Sequence, residues 1–225
     1  MKNKILALIA SSMLILSFSS LKADVNLGLS LMVGQADTSG HELENGAAAD
    51  KNAKSIKENF YGASVFVEAR ADNGFATSVT FNSKKAHTSS GLATDQDLNK
   101  LNTQVAYTGD NYHLSATYSR QKGWNSWSYY STKDLQNNAS LTTTNADAIA
   151  LRAWWRPEET GSAVPSISVG YDISETAANT NSQTDMYFVG LQWQDIFSVD
   201  DRIGLAFGQP QKREDETTDP FAWEA

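Results

Sequence analysis

Apolar and polar residues alternate along most of this chain with a period of two. In "AVPSISVGYDIS", Ala163 to Ser174, the residues Ile167, Val169, Tyr171 and Ile173 fall on one face, and Ser166, Ser168, Gly170 and Asp172 on the other. That is the pattern of a β-strand whose two sides meet different surroundings. It recurs at Val25, Leu27, Leu29, Leu31 and Val33, at Tyr61 to Ala69, and at Phe75, Val79 and Phe81. It continues at Leu101, Val105 and Tyr107, at Tyr112 to Tyr118, and at Ile149 to Trp155. Beyond the opening stretch come Tyr187 to Trp193, Ile203 to Phe207, and a last beginning at Phe221 and Trp223. The pattern predicts nine complete strands and the start of a tenth, and no segment carries a helical period. The expected fold class is all-β and antiparallel.

The connections add a second pattern. Gly34–Glu58, Lys84–Asp97 and Gln121–Asn145 read as long links, and Thr176–Thr184 and Pro210–Asp219 as medium ones. Between them lie "ADNG" at Ala71–Gly74, "GD" at Gly109 and Asp110, "PEETGSA" at Pro157–Ala163 and "IFSVD" at Ile196–Asp200. Longer and shorter links are thus expected to alternate without exception, which gathers the longer ones at one end of an up-and-down meander. Transmembrane β-barrels have this arrangement, with short periplasmic turns and long extracellular loops. Strands of about ten residues cross a bilayer when tilted, and closing the sheet satisfies every backbone group in lipid. Large residues, often aromatic near strand ends (Tyr107, Tyr118, Trp155, Tyr171, Trp193, Phe207), suit a lipid-facing surface with interfacial girdles. A secreted β-sandwich or lipocalin-like barrel is the soluble alternative; it gives no reason for sorted loops.

The first 23 residues have the form of a secretory signal peptide: Lys2 and Lys4, an apolar run from Ile5 to Phe18, then small residues up to Ala23. The expected domains are therefore this signal, 1–23, and an outer-membrane barrel, 24–225. Loss of Lys2, Lys4 and Lys22 makes the mature chain three charges more negative than the −8 of the full sequence. Such a chain is poorly suited to nucleic acid, whose phosphates demand Lys and Arg. There is no cysteine, which removes disulfides, thiolate metal sites and thiol catalysis from consideration.

Chemistry-bearing motifs are few. His41, His87 and His113 are scattered without ligand spacing and read as surface histidines, so no metal is expected. No phosphate-binding loop or nucleophile elbow is present; neither an enzyme nor a cofactor is expected. The acidic run Arg213–Asp219 reads as a solvated loop, and the Asn-Ala-Ser at Asn138 as a chance sequon. Two groups remain. Glu68, Arg70, Arg152, Arg156 and Asp172 lie on the polar side by parity and are the candidate pore-lining residues, with both signs represented. Trp124, Trp127, Tyr129 and Tyr130 cluster among Asn and Ser in the longest later loop. Their flat faces suit sugar rings, although packing within the loop or an extended girdle accounts for them more simply. That loop is alternatively one that folds into the lumen.

"ALRAWWRPEETGSAVPSISVGYDIS", "YFVGLQWQDIFSVDDRIGLAFGQPQ" and "DPFAWEA" together resemble the C-terminal part of cyanobacterial outer-membrane porins of the carbohydrate-selective or iron-uptake type. The matching pieces are the Trp–Arg–Pro–Glu turn, "PSISVGY", "VGLQW", "GQP" and "FAWE", over roughly Leu98 to Ala225. The resemblance implies a wide monomeric or homotrimeric barrel passing small hydrophilic solutes, with no catalytic residues. Family members also carry a surface-layer-homology domain and a coiled coil after the signal, which are not matched here, so attachment to peptidoglycan is not carried over. They also continue through further strands beyond "FAWEA", so a barrel truncated at its C-terminus is expected. The expected function is passive diffusion of sugars and ions across a bacterial outer membrane. The alternative is a small barrel acting as an adhesin or structural protein through its loops.

Overall fold

A computed structural model describes residues 23–36, 58–83, 97–122, 145–176 and 183–225, with isolated positions 89, 94 and 132. These residues form one ten-stranded antiparallel sheet in the order β1 to β10, each strand beside its neighbour in sequence. The strands are β1 (Ala23–Ala36), β2 (Glu58–Ala71), β3 (Phe75–Ser83), β4 (Asn99–Thr108) and β5 (Tyr112–Gln121). They continue as β6 (Ala146–Trp155), β7 (Ser166–Thr176), β8 (Gln183–Gln194), β9 (Arg202–Arg213) and the three-residue β10 (Ala222–Glu224). Among the described residues there is no helix, and β1 and β10 are the two open edges of the sheet. The predicted strands and their meander order are therefore observed.

Register carries the two-sided pattern across the whole sheet. Leu114 lies opposite Ala153, Ala153 opposite Val169 and Val169 opposite Val189; one step along, Ser115, Arg152, Gly170 and Phe188 form a row on the other side. A slip of one residue at any pairing would place a charge among aliphatic groups, so the pattern fixes the pairing. The sidedness is the reverse of a water-soluble protein. Leu114 is 52 % and Leu151 46 % exposed, whereas Arg152 is 5 % and Asp172 4 % exposed. We call the buried polar face inner and the exposed apolar face outer.

The short links share one end and are joined there by backbone hydrogen bonds. Thr108 N donates to Gly74 O at 2.9 Å, Arg156 N to Asn111 O at 2.9 Å and Gly161 N to Gln194 O at 2.9 Å. Gly74 holds φ at 90°, and a Cβ there would lie 2.3 Å from Thr108 O, so the β2–β3 turn admits only glycine. The strict alternation of link lengths does not hold. β7 and β8 run to Thr176 and from Gln183, leaving residues 177–182 as a shorter connection than 156–165 before it or 195–201 after it. Strand pairing simply extends further into what the polar composition marked as loop. β9 likewise continues through Pro210, beside a register shift between Asp185 and Tyr187; a bulge tolerates the missing N–H.

The β8–β9 turn is organised by two aspartates. The Asp201 carboxylate accepts backbone N–H bonds from Ile196 (2.8 Å), Phe197 (2.8 Å) and Ser198 (2.9 Å), and Asp195 Oδ1 accepts one from Asp200 (2.7 Å). Loss of water around the Asp201 carboxyl pushes its pKa up. The N–H bonds from Phe197, Ser198, Ile196 and Asp195 outweigh this and hold it below the ordinary carboxylate value. A lowered folded-state pKa means stabilisation that is complete above the unfolded value and disappears as pH falls through the folded one. Amide exchange at Phe197 and Ser198 is therefore expected to be slow at neutral pH and to lose its protection under acid conditions. Asp201→Asn should remove most of that protection at neutral pH, as read by hydrogen exchange.

Candidate functional site

The inner face is a set of cross-strand rows. At the end bearing the longer links, Asn82, Lys100 and Gln121 stand side by side on β3, β4 and β5, all at most 2 % exposed. Next to them Ser83 Oγ donates to Asp97 Oδ1 at 2.7 Å. Across the sheet at the same end, Gln211 Nε2 donates to Thr184 Oγ1 (2.7 Å) and Ser174 Oγ (3.3 Å), while Ser174 and Thr184 bond each other at 2.6 Å. Thr132, from the link between β5 and β6, reaches this side: its N–H donates to Gln211 O at 3.0 Å and its hydroxyl to Glu216 Oε1 at 2.8 Å.

The middle of the face holds the predicted charges. Arg152 on β6 meets Asp172 on β7 in a fork, Nη1 to Oδ1 at 2.5 Å and Nη2 to Oδ2 at 2.9 Å. Its guanidinium also lies over the Phe188 ring, 5.4 Å from the centroid. Phe188 reaches that position because Gly170 beneath it has no side chain; a Cβ there would lie 2.1 Å from the ring. On β2 the Arg70 guanidinium donates to the Glu68 carboxylate, with Glu68 buried and Arg70 open to solvent at the strand end. Glu68, Arg70, Arg152 and Asp172 thus form two pairs on the inner face, with Glu68, Arg152 and Asp172 buried and Arg70 exposed.

Toward the short-turn end the face becomes aromatic. His113 stacks on Trp154 with centroids 5.8 Å apart and planes 4° from parallel, and its Nδ1 is 2.8 Å from Thr108 Oγ1. The Arg156 guanidinium lies over the Trp154 ring, 5.2 Å from its centroid. His113 is 2 % exposed, so reading it as a surface histidine is corrected: the polar face it occupies is the inner one. Trp154 was missed for a related reason. In "AWW" alternation puts Trp155 outward and Trp154 inward, but nothing local says that Trp154 stacks on a histidine of the neighbouring strand.

Beside Trp154 the face falls away into a cavity of about 750 Å³. It exists because four inner positions of β8 and β9 are small: Gly190, which lies opposite Ala206, and Gly208 and Gly204, which lie opposite Phe188 and Gln192. Arg156, Ser166, Ser168, Gln192, Arg202 and Glu224 supply the polar wall. Trp124, Trp127, Tyr129 and Tyr130 lie outside the described residues. Among the described residues no cluster of three or more His, Asp or Glu is placed to hold a metal ion.

The outer face is sorted by height. Phe75, Tyr107 and Tyr112 form an aromatic group at the short-turn end, with centroids 4.7 and 5.7 Å apart, and Trp193 Nε1 donates to Ala163 O at 3.0 Å at the same rim. Aliphatic residues follow, and among the described strand residues the outer-face charges Arg120, Asp147, Glu175 and Asp185 stand near the other end. There Tyr118 OH donates to Asp147 Oδ1 at 2.7 Å.

No family model, curated protein or solved structure matches the chain. The residues themselves must carry the functional reading.

A buried ion pair loses most when one partner is removed, because the other charge stays behind uncompensated. Arg152→Leu is expected to destabilise the sheet by about 3–5 kcal/mol, and Arg152→Leu with Asp172→Leu by much less. Denaturant unfolding of the two variants in the same detergent measures the difference.

Proposed function

We propose that this chain is a bacterial outer-membrane β-barrel of porin type, lipid on its outer face and small hydrophilic solutes within. The observation that supports it above all is the reversed polarity of the sheet, with aliphatic and aromatic side chains exposed and charged side chains buried. An exposed apolar surface of this extent on one sheet calls for a nonaqueous partner. Its height agrees with lipid. From Tyr112 to Arg120 along β5 is roughly 27 Å of strand, or about 20 Å across a bilayer at a 40° tilt, near the apolar band of about 25 Å in such barrels. Closure of the sheet, so that no backbone edge meets lipid, belongs to this reading. The short turns then face the periplasm and the long links the exterior.

Transport is supported by the polar cavity on the inner face and by the resemblance to diffusion porins. The closely packed remainder of that face favours a narrow passage. A specific observation also favours the second reading, an adhesin or structural barrel: Lys100, His113 and Gln121 are almost fully buried, as in a filled interior.

Two measurements separate these readings. Expressed with its signal, the protein should fractionate with outer membranes and require detergent for release; recovery by osmotic shock alone would end both. Reconstituted in a planar bilayer, it should give stepwise conductance. A membrane-inserted protein with no conductance would leave only the adhesin or structural reading.

A further inference from the structure

We infer that the cavity at the short-turn end of the inner face is a binding site for small organic anions, carboxylates in particular. The inference rests on reading that face as a lumen, and it assigns the lumen a solute class. Three features of the site argue for it together.

The first is the arrangement of charge. Elsewhere on the inner face opposite charges meet locally, as in Arg152 with Asp172 and Arg70 with Glu68, and such pairs present little net field to a solute. Arg156 and Arg202 differ. Both line the cavity, and the contact made by the Arg156 guanidinium is with the Trp154 ring. They stand at its two sides: residue 156 follows Trp155, which pairs with Ile167, and Arg202 pairs with Gln194. Three strand spacings separate β6 from β9, roughly 14 Å at about 4.8 Å each, before the curvature of the sheet shortens the gap. The Cα of Glu224, the acidic residue on this wall, lies opposite Ala206, four residues along β9 from Arg202, a backbone offset of roughly 13 Å.

The second feature is hydrogen-bonding capacity. The Gln192 amide and the Ser166 hydroxyl line the cavity and can donate to a ligand there, while the Ser168 hydroxyl already donates to Gly190 O at 3.5 Å. A ligand rich in acceptors and negative in charge completes this set. Guanidinium groups match carboxylates in geometry as well as charge, each offering a planar fork of N–H donors.

The third is room. About 750 Å³ falls within the usual 300–1,000 Å³ range of small-molecule sites. Gly204 lies on its floor, and a Cβ added there would meet nothing nearer than a backbone oxygen at 3.8 Å. A larger side chain at this position would therefore occupy the cavity without disturbing the strand.

The test uses the full chain refolded in detergent micelles and titrated calorimetrically with succinate and with its neutral diamide, succinamide. Succinate should bind at least tenfold more tightly than succinamide. Arg156→Gln and Arg202→Gln should each weaken succinate binding about tenfold, and Gly204→Leu should abolish it while leaving the unfolding midpoint unchanged. The assignment is overturned if succinamide binds equally well, if both arginine variants keep the parent affinity, or if succinate does not bind at tens of millimolar. Because binding is read without a membrane, succinate binding in a protein that fails to conduct would sink the porin reading alone. Conductance without succinate binding would sink the anion site alone.

Discussion

Arg152 and Asp172 meet on neighbouring strands in a two-pronged contact, both almost fully buried, and the inner face depends on pairings of this kind. A sheet that turns its charged and amide side chains inward must satisfy them there, since each unpaired buried charge carries a penalty of several kcal/mol. The hydroxyl and amide contacts among Ser174, Thr184 and Gln211, and the Ser83–Asp97 bond, repeat the same solution with neutral donors. With the polar side chains gathered on the inner face, the outer face is left with the aliphatic and aromatic residues. The reversed polarity of the molecule follows from both conditions at once.

Side-chain size then divides the inner face into two regions. Toward β3, β4 and β5 long polar side chains (Lys100, Gln104, Gln121) fill the space. Toward β8 and β9 glycine and alanine leave it open, and the cavity forms between Trp154 and the short β10. The aromatic stack of His113, Trp154 and the Arg156 guanidinium marks the border between these regions. It is there that an aromatic wall and the Arg156 charge come together. Close packing and open space are therefore properties of different strands of one sheet.

The two ends of the sheet are also unlike. At one, backbone hydrogen bonds run from turn to turn, and the β8–β9 turn is held by carboxylates with two non-glycine residues, Asp195 and Asp200, at positive φ. At the other, Thr132 bonds Gln211 and Glu216, which brings the link after β5 to the far side of three intervening strands. A meander with one tightly tied rim and one carrying its longer connections has a built-in direction, and the strand charges Arg120, Asp147, Glu175 and Asp185 on the outer face near the second rim agree with it.

The sequence by itself determined the strands, their order and which residues share a face, because alternation has a period of two and a slip would reverse every side chain. It also placed Glu68, Arg70, Arg152, Arg156 and Asp172 on one side. It did not determine that Arg152 would find Asp172, since that depends on the register between β6 and β7. Nor did it reveal that His113 is buried against Trp154, or that Gly190, Gly204, Ala206 and Gly208 on β8 and β9 align into a cavity. Each of these is a relation between residues far apart in the chain, settled by cross-strand pairing. The ends of β7 and β8 were misjudged for the same reason: pairing runs through polar residues as far as Thr176 and from Gln183 because neighbouring strands supply hydrogen bonds, and local composition does not record those neighbours.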